Sequence, residues 1–222
     1  MTASTRALVL FSGGQDSTTC LAQALSDCAH VESVFFDYGQ RHLIEKEQAG
    51  VIAARVGIPL HVIDVPMLSQ LNPNALTNAA LAIEQPQNEL PSTFVPGRNA
   101  LFLTLAATLA YQNKLSILYT GVCQTDYSGY PDCRDDFIQS MQASLSLAMD
   151  TSFQIRTPLM WLTKADTVRL MDSLGQLDIL ADTHTCYEGL RPACGQCPAC
   201  LLRLKGFKEA GLIDPLSYLS VK

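Results

Sequence analysis

The chain has 222 residues, 48% of them hydrophobic and 16% charged, with a formal net charge of −6: enough apolar material for one good core and too little length for a second large domain. The acidic balance argues against a broad basic face and hence against a stable nucleic-acid partner. The longest uncharged apolar stretch, residues 100–111, is shorter than a membrane span, and the apolar run at 7–11 is shorter than a secretory h-region, so the expectation is a cytoplasmic protein without membrane association.

In chain order, residues 7–11 read as a strand, 17–26 as a helix, 31–37 as a strand, 42–56 as a helix and 60–65 as a strand. Residues 67–96, rich in proline and asparagine, read as an irregular excursion over the active-site side. The helix expected at 99–113 is apolar on nearly every side, from Ala100 and Leu101 to Leu109 and Ala110, which predicts burial in the core or against a second copy. A strand at 116–120, a helix at 135–149 with Ile138, Met141, Leu145 and Ala148 at core spacing, and a strand at 153–156 complete the pattern. This alternation predicts an α/β fold: a doubly wound, mostly parallel five-stranded sheet with helices on both faces, binding its ligands beyond the carboxyl ends of the strands.

Between the first strand and the first helix stands Ser12-Gly13-Gly14-Gln15-Asp16-Ser17. Two glycines allow backbone conformations in which successive N–H groups converge on an anion, and the following helix presents its positive end there. Hydroxyls of Ser12, Ser17 and Thr18 add donors. A Gly-Lys-Ser/Thr sequence is missing, so this is not a Walker A loop. Residues 12–17 resemble the PP-loop of the ATP pyrophosphatase superfamily. That resemblance implies a grip on the β,γ-pyrophosphate of ATP while a substrate oxygen attacks the α-phosphorus, giving an adenylated substrate and pyrophosphate. The ATP-binding stretch would then be Phe11, Ser12, Gly13, Gly14, Gln15, Asp16, Ser17, Thr18, Thr19, Cys20 and Leu21, with Asp16 assisting Mg²⁺ or orienting the loop.

Four of the eight cysteines, Cys186, Cys194, Cys197 and Cys200, are spaced C-x7-C-x2-C-x2-C. In a reducing compartment such spacing suits tetrahedral thiolate coordination, with Zn²⁺ the natural occupant and an iron–sulfur cluster the competitor. A closed four-cysteine site is structural, pinning a small C-terminal zinc-binding helical segment. The expected division is a body at 1–175 and this segment at 176–222. His184 reads as a neighbour of the ligands. Cys20 and Cys28 read as helix packing, and Cys133 as a loop cysteine. The basic residues Arg191, Arg203, Lys205 and Lys208 read as solvated helix charges.

Further phrases sit where an α/β site should be: Asp37-Tyr38-Gly39-Gln40-Arg41-His42 after the second strand, Val95-Pro96-Gly97-Arg98-Asn99 before the apolar helix, residues 126–134 after the fourth strand, and Thr157-Pro158-Leu159 leading to Leu162-Thr163-Lys164. Each alone is a plausible turn or helix start. In this order, with the loop and the cysteine quartet, they resemble the QueC family of queuosine-precursor biosynthesis, the 7-cyano-7-deazaguanine synthases. His184 departs from that resemblance, which leads one to expect tryptophan there. The resemblance implies conversion of 7-carboxy-7-deazaguanine and ammonia to the nitrile through ATP-activated intermediates, in a homodimer. It makes Asp16, Arg98 and Lys164 candidates for catalysis on the phosphates. Asp126, Tyr130 and Asp132 become candidates for reading the donor edge of the base, and Arg134 or Arg41 for pairing with the substrate carboxylate. The competing readings are a tRNA-thiolating PP-loop enzyme, an amidating synthetase with its own glutaminase, for which the chain has no evident room, and a non-enzymatic nucleotide- or zinc-binding module.

Overall fold

The computed structural model describes residues 5–40, 44–71, 94–125 and 129–219. Strands β1 (Arg6–Leu10), β2 (His30–Asp37), β3 (Leu60–Asp64), β4 (Ile117–Tyr119) and β5 (Gln154–Arg156) form one sheet in the order β3-β2-β1-β4-β5, and every pairing is parallel. The helices are α1 (Gln15–Asp27), α2 (Ile44–Val56), α3 (Met67–Leu71), α4 (Arg98–Gln112), α5 (Asp135–Ala148), α6 (Lys164–Ser173) and α7 (Pro198–Ala210).

The period-two alternation of β1 divides the core. Ala7, Val9 and Phe11 face one side, where α1, α2, α6 and α7 contribute Leu21, Ile52, Met171 and Phe207. Leu8 faces the other, against Leu103, Ala106 and Ala110 of α4 and Ile138 and Leu145 of α5. Each fully buried large side chain contributes about 1.5–3 kcal/mol, and right-handed crossovers carry the helices to opposite faces once the chain reverses direction after β3. The reversal makes the β1/β4 boundary a topological switch point, and its carboxyl end is where a crevice opens.

Helix α4 departs from the expectation of all-round burial. Leu103, Ala106, Ala107 and Ala110 form a buried stripe, Leu101, Leu105 and Leu109 are half-buried, and Thr104, Thr108 and Tyr111 are exposed. The excursion at 67–96 begins with the short helix α3; its residues 72–93 lie outside the described residues.

The C-terminal basic residues also divide. Lys205 and Lys208 are exposed, as expected of solvated charges, but Arg203 is not. It is 1% exposed, donates from Nε and Nη2 to the Asp214 carboxylate at 2.8 Å each, and reaches Thr183 Oγ1 and the Leu180 carbonyl. No helix among the described residues is long and apolar enough to cross a membrane.

Candidate active site

The loop between β1 and α1 is built around two close approaches. Gly13 has φ +76°, and a Cβ there would lie 2.8 Å from the Ala49 nitrogen and 3.0 Å from the Glu45 carbonyl oxygen, so α2 packs directly onto the loop. On the opposite side a Cβ on Gly121, just after β4, would lie 3.2 Å from the Asp16 carbonyl carbon and 3.3 Å from the Ser17 nitrogen. Inside this clamp the Ser12 and Ser17 hydroxyls lie 3.1 Å apart, and Ser17 Oγ accepts from the Ser12 N–H at 3.2 Å. The N–H groups of the first turn of α1 have no intrahelical acceptor, and no side chain caps the helix at Gly14. These groups form an anion cradle.

Not every residue of the 11–21 stretch faces it. Thr18 and Thr19 turn their hydroxyls back to the carbonyls of Gly14 and Gln15 at 2.8 and 3.0 Å, while Cys20 and Leu21 lie in the core. Phe11, Ser12, Asp16 and Ser17 line a cavity of about 710 Å³.

Aromatic rings wall that cavity: Phe36 and Phe102 stack with centroids 4.5 Å apart, Tyr38 tilts onto Phe102 at 5.5 Å, and Tyr130 stacks on Phe94 at 5.5 Å. Arg98, the first residue of α4, lines the same space. Burial opposes the charge on Arg98, but Tyr38, Asp132 and Tyr130 around it more than offset this and hold its pKa above the usual value. Lys164 donates to Asp16 Oδ2 at 2.5 Å and lines a smaller adjoining cavity of about 170 Å³ that shares Asp16, Cys123, Leu202 and Lys205 with the larger one. The other oxygen of Asp16, Oδ1, is buried without a partner. An orphaned carboxylate oxygen beside an anion cradle fits a hard cation such as Mg²⁺.

The substrate-edge candidates scatter. Tyr130 lines the cavity. Asp132 does not: its Oδ2 accepts from the Asn99 N–H at 3.1 Å and its carbonyl from Asn99 Nδ2 at 3.0 Å, so it fastens the start of α4. Arg134 is exposed at the residue before α5 and does not line the cavity, although the adjacent Cys133 does. Arg41 and Asp126 lie outside the described residues.

At the start of α7 the Sγ atoms of Cys186, Cys194, Cys197 and Cys200 all lie within 4.8 Å of one another. The Cys194–Cys200 separation is 3.9 Å, against roughly 3.8 Å for two thiolates at tetrahedral corners with Zn–S of about 2.3 Å. Backbone N–H groups point at the sulfurs, from Cys197 and Gln196 to Cys194 Sγ at 3.2 and 3.4 Å, and from Tyr187 to Cys197 Sγ at 3.4 Å. Burial works against ionisation of Cys194, yet the N–H groups of Gln196 and Cys197, with the Cys186 and Cys197 thiols, bring it down to about 7. The donor set fits a tetrahedral thiophilic metal. His184 stands outside the quartet and ties it to the cradle: its N–H donates to the Gly13 carbonyl at 3.0 Å, and its Nε2 lies 2.8 Å from the Cys186 carbonyl.

Two contributors went unread in the sequence. Gly121 carried a signal, a glycine directly after a strand at the switch point. Glu45 carried none, since a carboxylate in the first turn of a helix is ordinary dipole chemistry. Burial pushes the Glu45 carboxyl up to about 7, against the opposing effect of Arg98.

Comparison with known proteins gives this geometry its kinship. Residues 6–211 match the family described as queuosine biosynthesis protein QueC. The chain is 54% identical over 206 residues to the 7-cyano-7-deazaguanine synthase of Bacillus subtilis, covering 92% of this chain and 94% of that one. It is 55% identical over 207 residues to the protein of the same name from Lysinibacillus sphaericus, with the same coverage. Among solved structures, an ATP-bound 4-thiouridine synthetase–RNA complex superposes with a TM-score of 0.53 at 17% identity, covering 92% of this chain and 53% of that one, a likeness of fold alone. Sheet order, cradle and cysteine quartet thus coincide with a match along nearly the whole chain, and the protein belongs to the QueC family.

Proposed function

We propose that this protein converts 7-carboxy-7-deazaguanine and ammonia to 7-cyano-7-deazaguanine with ATP, as a carbon–nitrogen ligase of queuosine-precursor biosynthesis. The observation that carries this is an anion cradle opening into an aromatic-walled cavity of about 710 Å³, in a chain more than half identical to proteins of that name.

A carboxylate is a poor electrophile because its leaving group would be oxide. Attack by its oxygen on the α-phosphorus of ATP replaces oxide with AMP; ammonia then forms the amide, and a second activation through the amide oxygen gives the nitrile. The backbone of residues 12–17 would hold the departing pyrophosphate, with Arg98 and Lys164 neutralising charge on the phosphates. Asp16, held by Lys164 through one oxygen, has the other free for Mg²⁺, which supplies further neutralisation when bound. Phe102, Tyr38 and Tyr130 offer faces for a planar base. Asp126 and Arg41 remain our candidates for the base edge and the substrate carboxylate. Asp132 would act indirectly, by holding α4. Arg134, exposed and not part of the cavity lining, is the second candidate for the substrate carboxylate.

We further infer that the quartet holds structural Zn²⁺, that 1–175 forms the ATP-binding body with 176–222 packed on it, that free ammonia is the nitrogen source, and that the protein is a cytoplasmic homodimer. A 24.2 kDa species by light scattering would refute the dimer. The activity is tested by incubating purified protein with ATP, Mg²⁺, ammonium and 7-carboxy-7-deazaguanine and looking for the nitrile by mass spectrometry. Its absence with folded, metal-loaded protein would overturn the reading.

A further inference from the structure

Two carboxylates line the main cavity among the described residues, Asp16 and Glu45. Asp16 is committed to Lys164. Glu45 projects from the first turn of α2, whose backbone at Glu45 packs on Gly13, so its carboxylate shares the cavity with the cradle's Ser12 and Ser17. Among the described residues the ionisable groups around it are Arg98 of α4 and Tyr38 after β2, while its neighbour Lys46 turns away to Asp37 at 3.0 Å. No part of the activation chemistry uses Glu45.

The amide-forming half of the proposed reaction needs a proton acceptor. At neutral pH ammonia is mostly ammonium, which has no lone pair. We infer, resting on the activity proposed above, that Glu45 is the general base of this step. It takes one proton from ammonium docked in the cavity. The freed lone pair forms the carbon–nitrogen bond, the carbon–oxygen bond to the phosphate breaks with its electrons remaining on AMP, and the proton still in excess on nitrogen passes to that departing phosphate. Arg98 assists, because a second cation beside a guanidinium is disfavoured and ammonium is driven toward ammonia. A carboxyl brought to about 7 by burial is matched to this task at physiological pH.

The test compares two nucleophiles on the metal-loaded enzyme: ammonium, and hydroxylamine, which is already unprotonated at neutral pH. In the wild type, kcat/KM for total ammonium should rise to about pH 7 and level off above it, whereas unassisted attack by free ammonia would keep climbing into the alkaline range; the hydroxylamine profile lacks the limb near pH 7. Glu45→Gln should lower kcat/KM for ammonium at neutral pH by about 10²–10⁴-fold, recover as free ammonia accumulates in the alkaline range, and stay within several-fold of wild type with hydroxylamine. Equal losses with both nucleophiles, or an unchanged ammonium rate at neutral pH, would overturn the assignment. Should the variant not fold, the wild-type profiles decide: a limb near pH 7 with both nucleophiles refutes a role in deprotonating ammonium. Turnover of the wild type with ammonium separately scores the activity itself.

Discussion

Gly13 shows how much of the site rests on a missing atom. Its positive φ, and the 2.8 Å that would separate an added Cβ from the Ala49 nitrogen, mean that Gly13→Ala combines left-handed strain of about 1–2 kcal/mol with a clash against α2 backbone. We expect a melting temperature several degrees lower, measured calorimetrically, and ATP affinity reduced at least tenfold by titration calorimetry. Glu45 makes the opposite prediction for stability. Its folded pKa of about 7 lies above the usual 4.5, so between those values the folded state binds the extra proton, and the cost of ionising it is fully present above pH 7 and absent below 4.5. Glu45→Gln should therefore raise the melting temperature at pH 8 and leave it unchanged near pH 4, while lowering activity. Arg203 illustrates what a residue type conceals: an arginine on a helix in sequence is a solvated charge by default, and only the fold shows Asp214 waiting for it. Replacing it with Met strands a buried carboxylate, at a cost of about 3–5 kcal/mol in urea unfolding.

Among the elements, α4 links packing to chemistry. Its stripe at 103, 106, 107 and 110 seats it on the sheet, and Asp132 and Asn99 fasten its first turn, which places Arg98 at the cavity. Asp132→Ala should cost about 1 kcal/mol of stability, as loss of an N-terminal cap does, and lower kcat more than that figure implies because Arg98 loses its anchor; Asp132→Asn should preserve most of both. Steady-state kinetics beside chemical denaturation separates the two effects. The periodicity of residues 99–113 revealed the helix but not its orientation. An almost wholly apolar helix leaves its buried face undetermined, and here the sheet selected the stripe of small residues that allows close approach.

At the scale of the whole molecule, the cysteine quartet and the cradle form one mechanical unit through His184. Cys200→Ser should abolish stoichiometric metal by elemental analysis, and hydrogen exchange should quicken both at residues 184–219 and at the 12–17 loop. Exchange confined to the C-terminal segment would disprove the coupling. The sequence by itself determined the α/β alternation, the parallel sheet, the anion cradle and the four clustered cysteines, because each is a local pattern: a period of 2 or about 3.6 residues, a glycine pair between strand and helix, a short cysteine spacing. Only the tertiary structure decided that Asp16 pairs with Lys164, that Asp132 fastens α4 instead of facing the cavity, and that half-buried Glu45 lines the same cavity as the cradle. Those outcomes join residues up to 148 positions apart, and hydrogen-bond partners and desolvation belong to the packed space around a side chain, which neighbours along the chain do not define.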